Sequence, residues 1–379
     1  MILTNGFVMD ENFELRKMDI KICDDKIAEL GESLSGDEKI DMSRKYILPG
    51  FIDTHIHGAY GNRIGNENAD LGKITEFEAT QGVTSIAITT ASSDFESILS
   101  QIECAVKASK NCKGAKIAGI HAEGPFLNVK YKGAMTEKNI IAPRTDLLDK
   151  MLEKAEGMLK IITIAPETEG AVEFIKYAVS KGVTVSMGHT NATYDEAIAA
   201  IDAGAAQATH TFNAMRPLHH REPGVLGAAL TSRSVTCEMI CDYVHLHPAI
   251  CDLIYRAKGA DRINMVSDSG HAAGLDVAEF EVDGIKRYVK DGVVRLADGT
   301  IAGSARTLLD GVKNLIKSGM PMEDVSKMAS FNPARSLKLE KETGSIAVGK
   351  LADLAVLDSE YNVVDTFVNG KCMDKNNII

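Results

Sequence analysis

The middle of this chain alternates short apolar runs with longer amphipathic stretches, and this alternation limits the possible folds more than any other feature. Eight runs have the length and composition of buried strands: IDTHIH, VTSIAITT, AKIAGIHAEG, KIITIAPE, TVSMGHT, AQATHTFNAM, CEMICDYVHL and RINMVSDS. The stretches between them have helical periodicity, as in AVEFIKYAVSKG and YDEAIAAIDAG, whose final glycines suit a helix C-cap. Such alternation favours an α/β fold, a closed parallel (β/α)8 TIM-like barrel.

The two ends of the chain do not follow this alternation. The first 49 residues contain short strand-like runs such as ILTNGFVM and MDIKIC, and the end of the chain contains DLAVLD and VVDTFVNGK, with turn signals between them. We therefore predict that residues 50–344 form the barrel, and that residues 1–49 plus 345–379 form a small β-sandwich domain.

An insertion follows the eighth strand-like run. It reads EFEVDGIKRYVKDGVVRLADGT, and its pairs Asp283-Gly284 and Asp291-Gly292 are strong signals for hairpin turns. Because the insertion starts at the carboxyl end of a barrel strand, we expect it to border the mouth of the active site.

Composition narrows the class of protein. The 379 residues are 45% hydrophobic, which suits one large catalytic barrel with a smaller unit beside it. A net charge of -11 argues against nucleic-acid and membrane-surface partners. The seven cysteines form no CxxC pair, so we expect neither a disulfide framework nor a cysteine zinc site. The sequence shows neither a signal peptide nor a transmembrane run, so a cytoplasmic location is expected.

Residues able to bind a metal or to move a proton stand at the carboxyl ends of five predicted strands. They are His55 and His57 on the first run, Glu123 on the third, His189 on the fifth, His210 on the sixth and Asp268 on the eighth. Since catalytic groups of such barrels lie at the carboxyl face, these residues are expected to converge. Imidazoles with a carboxylate suit zinc or ferrous iron better than magnesium or calcium. The pattern therefore predicts metal-assisted hydrolysis.

The candidate ligands also have a structural interpretation that involves no metal. A single histidine at a strand end is more often a hydrogen-bonded loop residue than a ligand, and His219, His220 and His271 fit that description. Glu123 precedes a Gly-Pro pair and would suit a helix N-terminus. We favour the ligand interpretation because four histidines coincide with strand ends.

Asp268 has the position expected of a proton-transfer group. It ends the apolar run INMVSD, where a carboxylate is costly unless a cation or a water needs it. Such a carboxylate can accept a proton from the attacking water and deliver it to a leaving group. The alternative is a structural aspartate bonded to the backbone. Asp53, on the same run as His55, is expected to orient its neighbours.

Motifs along nearly the whole chain carry a family resemblance. PGFIDTHIHG and FNPARSLKLEKETGSIAVGKLADLAVLD resemble the amidohydrolase superfamily in general. HAEGPFLN, GHT, THTFNAM, REPG, DYVHLHP, SDSGHAAG and LADGTIAGS resemble, more narrowly, its N-acetylglucosamine-6-phosphate deacetylases. The resemblance implies hydrolysis of the N-acetyl group of N-acetylglucosamine 6-phosphate to glucosamine 6-phosphate and acetate.

The resemblance also implies a role for each candidate residue. Glu123, His189 and His210 would hold the principal metal, with Asp268 as the catalytic acid/base. His55 and His57 match members with a second metal, so one or two zinc or ferrous ions per subunit are expected.

Further positions would bind the substrate. Asn213 and Ala214 would contact the sugar phosphate, with His245 beside them. Arg221 would reach the phosphate bound in the neighbouring subunit, which implies a homodimer.

Some residues depart from the family pattern. Met135 stands where a histidine or glutamine commonly contacts the substrate, and a thioether cannot replace that donor. Close to the sugar, Leu308 stands in place of a methionine, and Arg306 in place of an aliphatic residue. These departures keep N-acetylgalactosamine 6-phosphate, or another N-acyl hexosamine phosphate, open as the substrate.

Two other function classes fit the sequence less well. A cyclic-amide hydrolase of the dihydroorotase type usually needs a modified lysine on the fourth strand, but the only lysine of KIITIAPE stands at its start, far from the carboxyl face. A sugar-phosphate-binding protein without turnover would have no need for proton transfer by Asp268. The sequence therefore favours a deacetylase.

Overall fold

The computed structural model describes residues 1–65, 69–90, 93–282 and 284–373. Its centre is a sheet of parallel strands in sequence order, namely β1 (Phe51–Ile56), β2 (Val83–Thr90), β3 (Lys116–Glu123), β4 (Leu159–Ile164), β5 (Thr184–Met187), β6 (Gln207–Ala208), β7 (Thr236–Ile240) and β8 (Ile263–Val266). The Asp268 amide donates to His55 O at 3.0 Å, and the His57 amide donates to Ser269 O at 2.9 Å. These bonds bring the end of β8 to β1 and close the barrel, which confirms the predicted (β/α)8 fold.

A helix follows each barrel strand. The helices are α1 (Leu71–Thr80), α2 (Phe95–Ser109), α3 (Thr145–Ala155), α4 (Ala171–Ser180), α5 (Tyr194–Asp202), α6 (Gly224–Thr231), α7 (Pro248–Lys258) and α8 (Leu308–Lys317), followed by α9 (Met322–Ser326), a π-helix (Lys327–Phe331) and α10 (Asn332–Ser336). Thr193 and Glu196 form a capping box at the start of α5, as Thr307 and Asp310 do at α8. Within the described ranges, every helix falls short of the length and apolar character that crossing a bilayer requires.

The sixth strand is much shorter than predicted. The run AQATHTFNAM keeps only Gln207–Ala208 in the barrel ladder, and the chain then turns away. The cause is visible in the backbone, because His210, Phe212 and Ala214 have φ angles of 28°, 79° and 49°, which no regular strand accommodates. The result is a loop that begins inside the barrel mouth.

Strands from both chain ends form one connected sheet. It contains Ile2–Met9, Leu15–Cys23, Lys26–Gly31, Lys39–Asp41, Tyr46–Pro49, Leu354–Leu357, Val363–Val368 and Lys371–Cys372. The pairing of Tyr46–Pro49 with Leu354–Leu357 joins the two ends, and buried side chains such as Ile20 and Phe367 form a separate core beneath it. The predicted small β domain thus has its strands in this sheet, and its boundaries at residues 49, 50, 344 and 345 stay a prediction.

The insertion after β8 is an antiparallel meander. Its strands are Glu279–Val282, Ile285–Lys290, Val293–Arg295 and Ile301–Ser304. Asp291 and Gly292 have φ angles of 55° and 80° and connect paired strands, as the sequence predicted. Asp283 of the other predicted turn lies outside the described residues.

Candidate active site

The barrel brings all six predicted metal and proton-transfer residues to its carboxyl face. His55 and Glu123 lie within the last two residues of β1 and β3, and His57 directly follows β1. The other three each stand two residues beyond a strand and have left-handed backbones, with φ angles of 47° for His189, 28° for His210 and 48° for Asp268. Such strained conformations cluster at functional sites because the surrounding structure must hold them.

Glu123 lies at the centre of this group. Its Oε1 is 3.1 Å from both His189 Nε2 and His210 Nε2, and 3.4 Å from His55 Nε2. Its Oε2 is 3.3 Å from His57 Nε2. One carboxylate therefore faces both histidine pairs, as a bridging ligand would.

The hydrogen bonds of His189 and His210 fix the tautomer of each ring. His189 Nδ1 lies 2.8 Å from Tyr131 O, and His210 Nδ1 lies 3.1 Å from Asn213 O. Because a carbonyl oxygen only accepts hydrogen bonds, each ring carries its proton on Nδ1 and presents a lone pair from Nε2. These two Nε2 atoms are 3.1 Å apart and both face Glu123.

Acceptor atoms crowded in this way fit a divalent cation. Among the described residues, the candidate ligand atoms of Glu123, His189 and His210 form one compact group, and those of His55, His57 and Asp268 form another. His55 Nε2 is buried and has no hydrogen-bond partner in the described part of the chain. Nitrogen and carboxylate ligands in such groups suit zinc or iron.

The electrostatics of the centre favour added positive charge. Burial alone would lower the pKa of His55, but Glu123, Glu238 and Asp268 outweigh it and raise that pKa well above its usual range. Burial would raise the pKa of Asp268, but His55 and His57 outweigh burial and lower it. The buried carboxylates thus favour a cation in this centre, and a metal ion bound there would take the place of the added protons on the histidines.

Asp53 holds the main chain beside the centre, in the orienting role that was expected of it. Its Oδ1 accepts from the amides of His55 at 3.1 Å and Ser267 at 3.3 Å, which ties β1 to the segment after β8. Burial raises the pKa of Asp53 to about 6.

A cavity of about 490 Å³ opens over the centre. Its wall includes four of the predicted substrate-binding residues, namely Asn213, Ala214, His245 and Met135. The meander contributes Phe280, Val294 and Ile301, so the insertion borders the site as predicted.

His245 presents one ring nitrogen to this cavity. Its Nδ1 is 2.7 Å from Asp242 Oδ2, and its buried Nε2 has no hydrogen-bond partner among the described residues. Burial opposes the charged form of His245, but Asp242 outweighs it and raises the pKa of the ring. His245 is thereby prepared to donate a hydrogen bond to a bound ligand.

The other predicted contact residues lie outside this cavity wall. Leu308 is buried in the core at the start of α8. Arg221 is exposed, with its Nη1 2.9 Å from His220 Nε2. Arg306 is exposed and its guanidinium covers Gly292. His271 lies in a turn, stacks on Phe280 with ring centroids 4.8 Å apart and lines the cavity.

Two acidic residues that hold the site histidines were not among the residues predicted from the sequence. Asp242 contacts His245, and Glu238 on β7 contacts His55 at 3.0 Å. A signal for Glu238 was present, because it is the only charged residue of the otherwise apolar run CEMIC. A buried charge inside a strand is costly and so indicates a specific partner.

Comparison with known proteins shows the family to which this chain belongs. The model of the amidohydrolase family matches residues 46–373. The chain belongs to the amidohydrolase family. Membership makes this amidohydrolase a hydrolytic enzyme and implies a divalent metal, for which the groups described above supply candidate ligands.

Several relatives share nearly the full length of this amidohydrolase. An N-acetylglucosamine-6-phosphate deacetylase of Lysinibacillus sphaericus is 32% identical over 98% of this chain and 97% of its own. An N-acetylgalactosamine-6-phosphate deacetylase of Escherichia coli O157:H7 is 33% identical over 87% of this chain and 88% of its own. A mutant N-acetyl-D-glucosamine-6-phosphate deacetylase of Mycobacterium smegmatis, solved in complex with N-acetyl-D-glucosamine-6-phosphate, is 32% identical with a TM-score of 0.92, covering 98% of this chain and 99% of its own.

Proposed function

We propose that this amidohydrolase hydrolyses the N-acetyl group of N-acetylglucosamine 6-phosphate, giving glucosamine 6-phosphate and acetate. The observation that carries the proposal is the Glu123, His189 and His210 group with Asp268 beside it, at the base of a cavity sized for a small ligand. The similarity to deacetylases over nearly the whole chain supports the same substrate.

The metal in this proposal is zinc or ferrous iron, with one or two ions per subunit. Glu123, His189 and His210 would hold the principal ion, while His55 and His57 would hold a second that shares Glu123. When bound, the metal polarises the amide carbonyl and activates the attacking water. The tautomers imposed by Tyr131 O and Asn213 O keep two Nε2 lone pairs directed at the principal position.

Asp268 carries the proton in this mechanism. Its Oδ1 lies 3.4 Å from His57 Nε2 and 3.7 Å from His55 Nε2, so it faces the same space as the ligand atoms. It accepts a proton from the attacking water as the carbon–oxygen bond forms. It then delivers this proton to the amide nitrogen as the carbon–nitrogen bond breaks, so that a neutral amine leaves instead of the strongly basic amine anion.

The remaining cavity residues would bind the sugar phosphate away from the reacting bond. Asn213 and Ala214 lie on the loop after β6 and line the cavity, and the Thr190 amide fixes that loop by donating to Ala214 O at 3.1 Å. His245 would donate from Nε2. Binding energy from the phosphate positions the acetamido group over the metal ligands.

The proposal includes a homodimer in the cytoplasm. Arg221 lies outside the cavity wall and is exposed, so it is available to reach the phosphate bound in a neighbouring subunit. A reducing compartment would suit the seven cysteines, since the sequence contains no CxxC pair.

A second substrate is favoured by one specific residue. Met135 lines the cavity, and its thioether cannot donate a hydrogen bond to a substrate hydroxyl. The gluco and galacto epimers differ in the orientation of one hydroxyl, so N-acetylgalactosamine 6-phosphate is the alternative substrate.

The test compares kcat/KM for acetate release from both N-acetylhexosamine 6-phosphates with metal-loaded protein. Unphosphorylated N-acetylglucosamine and a chelator serve as controls. We expect chelator-sensitive turnover that prefers the glucosamine compound and is lost without the phosphate. A preference for the galactosamine epimer would replace the proposed substrate by the alternative.

A further inference from the structure

Glu238 is a fully buried carboxylate in the middle of β7 that the mechanism above does not use. Its exposed fraction is 0%, and its strand is buried on both faces. Taking a carboxylate out of water is expensive unless hydrogen bonds and positive charge compensate for the loss. The contacts of Glu238 therefore indicate what it does.

Its two oxygens contact different parts of the barrel. Oε2 is 3.0 Å from His55 Nδ1 and also accepts from the His210 amide at 3.0 Å. Oε1 accepts from Gln207 Nε2 at 2.6 Å. One oxygen thus holds a side chain of β1 and the main chain after β6, that is, one residue from each proposed metal site.

The contact with His55 fixes the tautomer of that ring. A proton on Nδ1, donated to the carboxylate, leaves the Nε2 lone pair directed at the centre, where Glu123 Oε1 lies 3.4 Å away. Carboxylates that bind the second nitrogen of a ligating histidine orient the ring and raise its basicity.

We propose that Glu238 is a positioning residue that makes His55 an Nε2 ligand and so sets the affinity of the metal site formed by His55 and His57. The inference rests on the proposed metal centre. It goes further by naming a residue on which metal binding at the second site depends.

The two sites should depend on Glu238 to different degrees. Main-chain carbonyls orient the rings of His189 and His210, without help from Glu238. His210 meets Glu238 only through its amide, whereas the His55 ring is held directly. Loss of the carboxylate should therefore weaken the second site more than the principal one.

A third metal site around Glu238 does not fit the hydrogen bonds. His55, His121 and Glu238 form a compact group of possible ligands. However, His121 Nδ1 lies 3.0 Å from Thr54 O, and its Nε2 lies 2.8 Å from Thr163 Oγ1. Both nitrogens of His121 are engaged, so the role of Glu238 is to hold His55.

The test is a zinc titration of Glu238→Gln against a competing chelator, with bound metal counted by elemental analysis. We expect the second site to weaken by roughly 10- to 100-fold, the range found when such supporting groups are lost. The principal site should weaken less than the second site, because main-chain carbonyls orient its histidine rings. Glu78→Gln is the control, because Glu78 is also a buried acidic side chain but, among the described residues, its oxygens make no hydrogen bond to a proposed ligand.

A measurement on the wild type covers the case in which Glu238→Gln does not fold. Nitrogen-15 spectra of histidine-labelled, zinc-loaded protein should show His55 protonated at Nδ1, with its metal shift at Nε2. The opposite tautomer, equal weakening of both sites in the variant, unchanged two-site binding, or a wild type that binds one ion would each overturn the inference. None of these readouts requires turnover, so a wrong substrate would leave them unaffected.

Discussion

At the residue scale, the site depends on groups that hold a histidine in one protonation state. His189 and His210 are held by main-chain carbonyls, while His245 and His55 are held by the carboxylates of Asp242 and Glu238. A carbonyl fixes a tautomer, but a carboxylate also stabilises the charged ring. Protonation of His245 should therefore depend on the negative charge of Asp242.

Asp242→Asn should therefore change the pH dependence of activity. The variant keeps the oxygen that accepts from the amides of Val244 and His245 but loses the charge that raises the pKa of His245, so that burial lowers it. The protonated ring is lost as pH rises through its pKa, so the alkaline decline of kcat/KM should move to lower pH.

The measurement is a pH profile of kcat/KM for the variant and the wild type. At pH 8 we expect a decrease of about tenfold, the effect of one weakened hydrogen bond to a charged group. Metal content is the control and should not change. An alkaline limb at the same pH in both proteins would show that Asp242 does not set the charge of His245.

At the element scale, the strand ends decide the geometry of the site. Gly188 follows β5 and directly precedes His189, where the barrel is tightly packed. A Cβ atom at this glycine would lie 2.6 Å from Thr209 Cβ and 2.9 Å from Thr163 Cγ2. The absence of a side chain here lets the segment before His189 lie close to β4 and to the start of the loop after β6.

Gly188→Ala should consequently destabilise the protein and displace a proposed ligand. Overpacking of this kind costs about 1–3 kcal/mol of unfolding free energy. Denaturant unfolding and metal content per subunit measure the two effects, and both should decrease. Gly270→Ala is the control, because nothing lies within 4 Å of its added Cβ. Equal stability of the two variants would contradict this description of the strand end.

The elements also show where prediction from sequence stops. The run VTSIAITT could be predicted to the residue because strand length and apolar content are local properties. The path after Ala208 could not, since it depends on left-handed backbones at His210 and Ala214 that the surrounding barrel holds in place.

At the scale of the whole molecule, the barrel converts distant sequence positions into one centre. The convergence of His55, Glu123 and Asp268 could be predicted, because parallel strands end at the same face. Glu238 could not be assigned a partner, because its contact with His55 crosses the barrel interior. Arg221 and Leu308 lie outside the cavity wall because of the path of the loop before α6 and the packing of α8. A local sequence pattern does not contain this information.

The central claim is that this centre hydrolyses the amide with Asp268 as the proton carrier. The most direct test measures acetate and glucosamine 6-phosphate released from N-acetylglucosamine 6-phosphate by wild type and Asp268→Asn at equal metal content. We predict one acetate per amine for the wild type, and a kcat at least about a hundredfold lower for the variant. No acetate from the metal-loaded wild type, or an undiminished rate in the variant, would contradict the account.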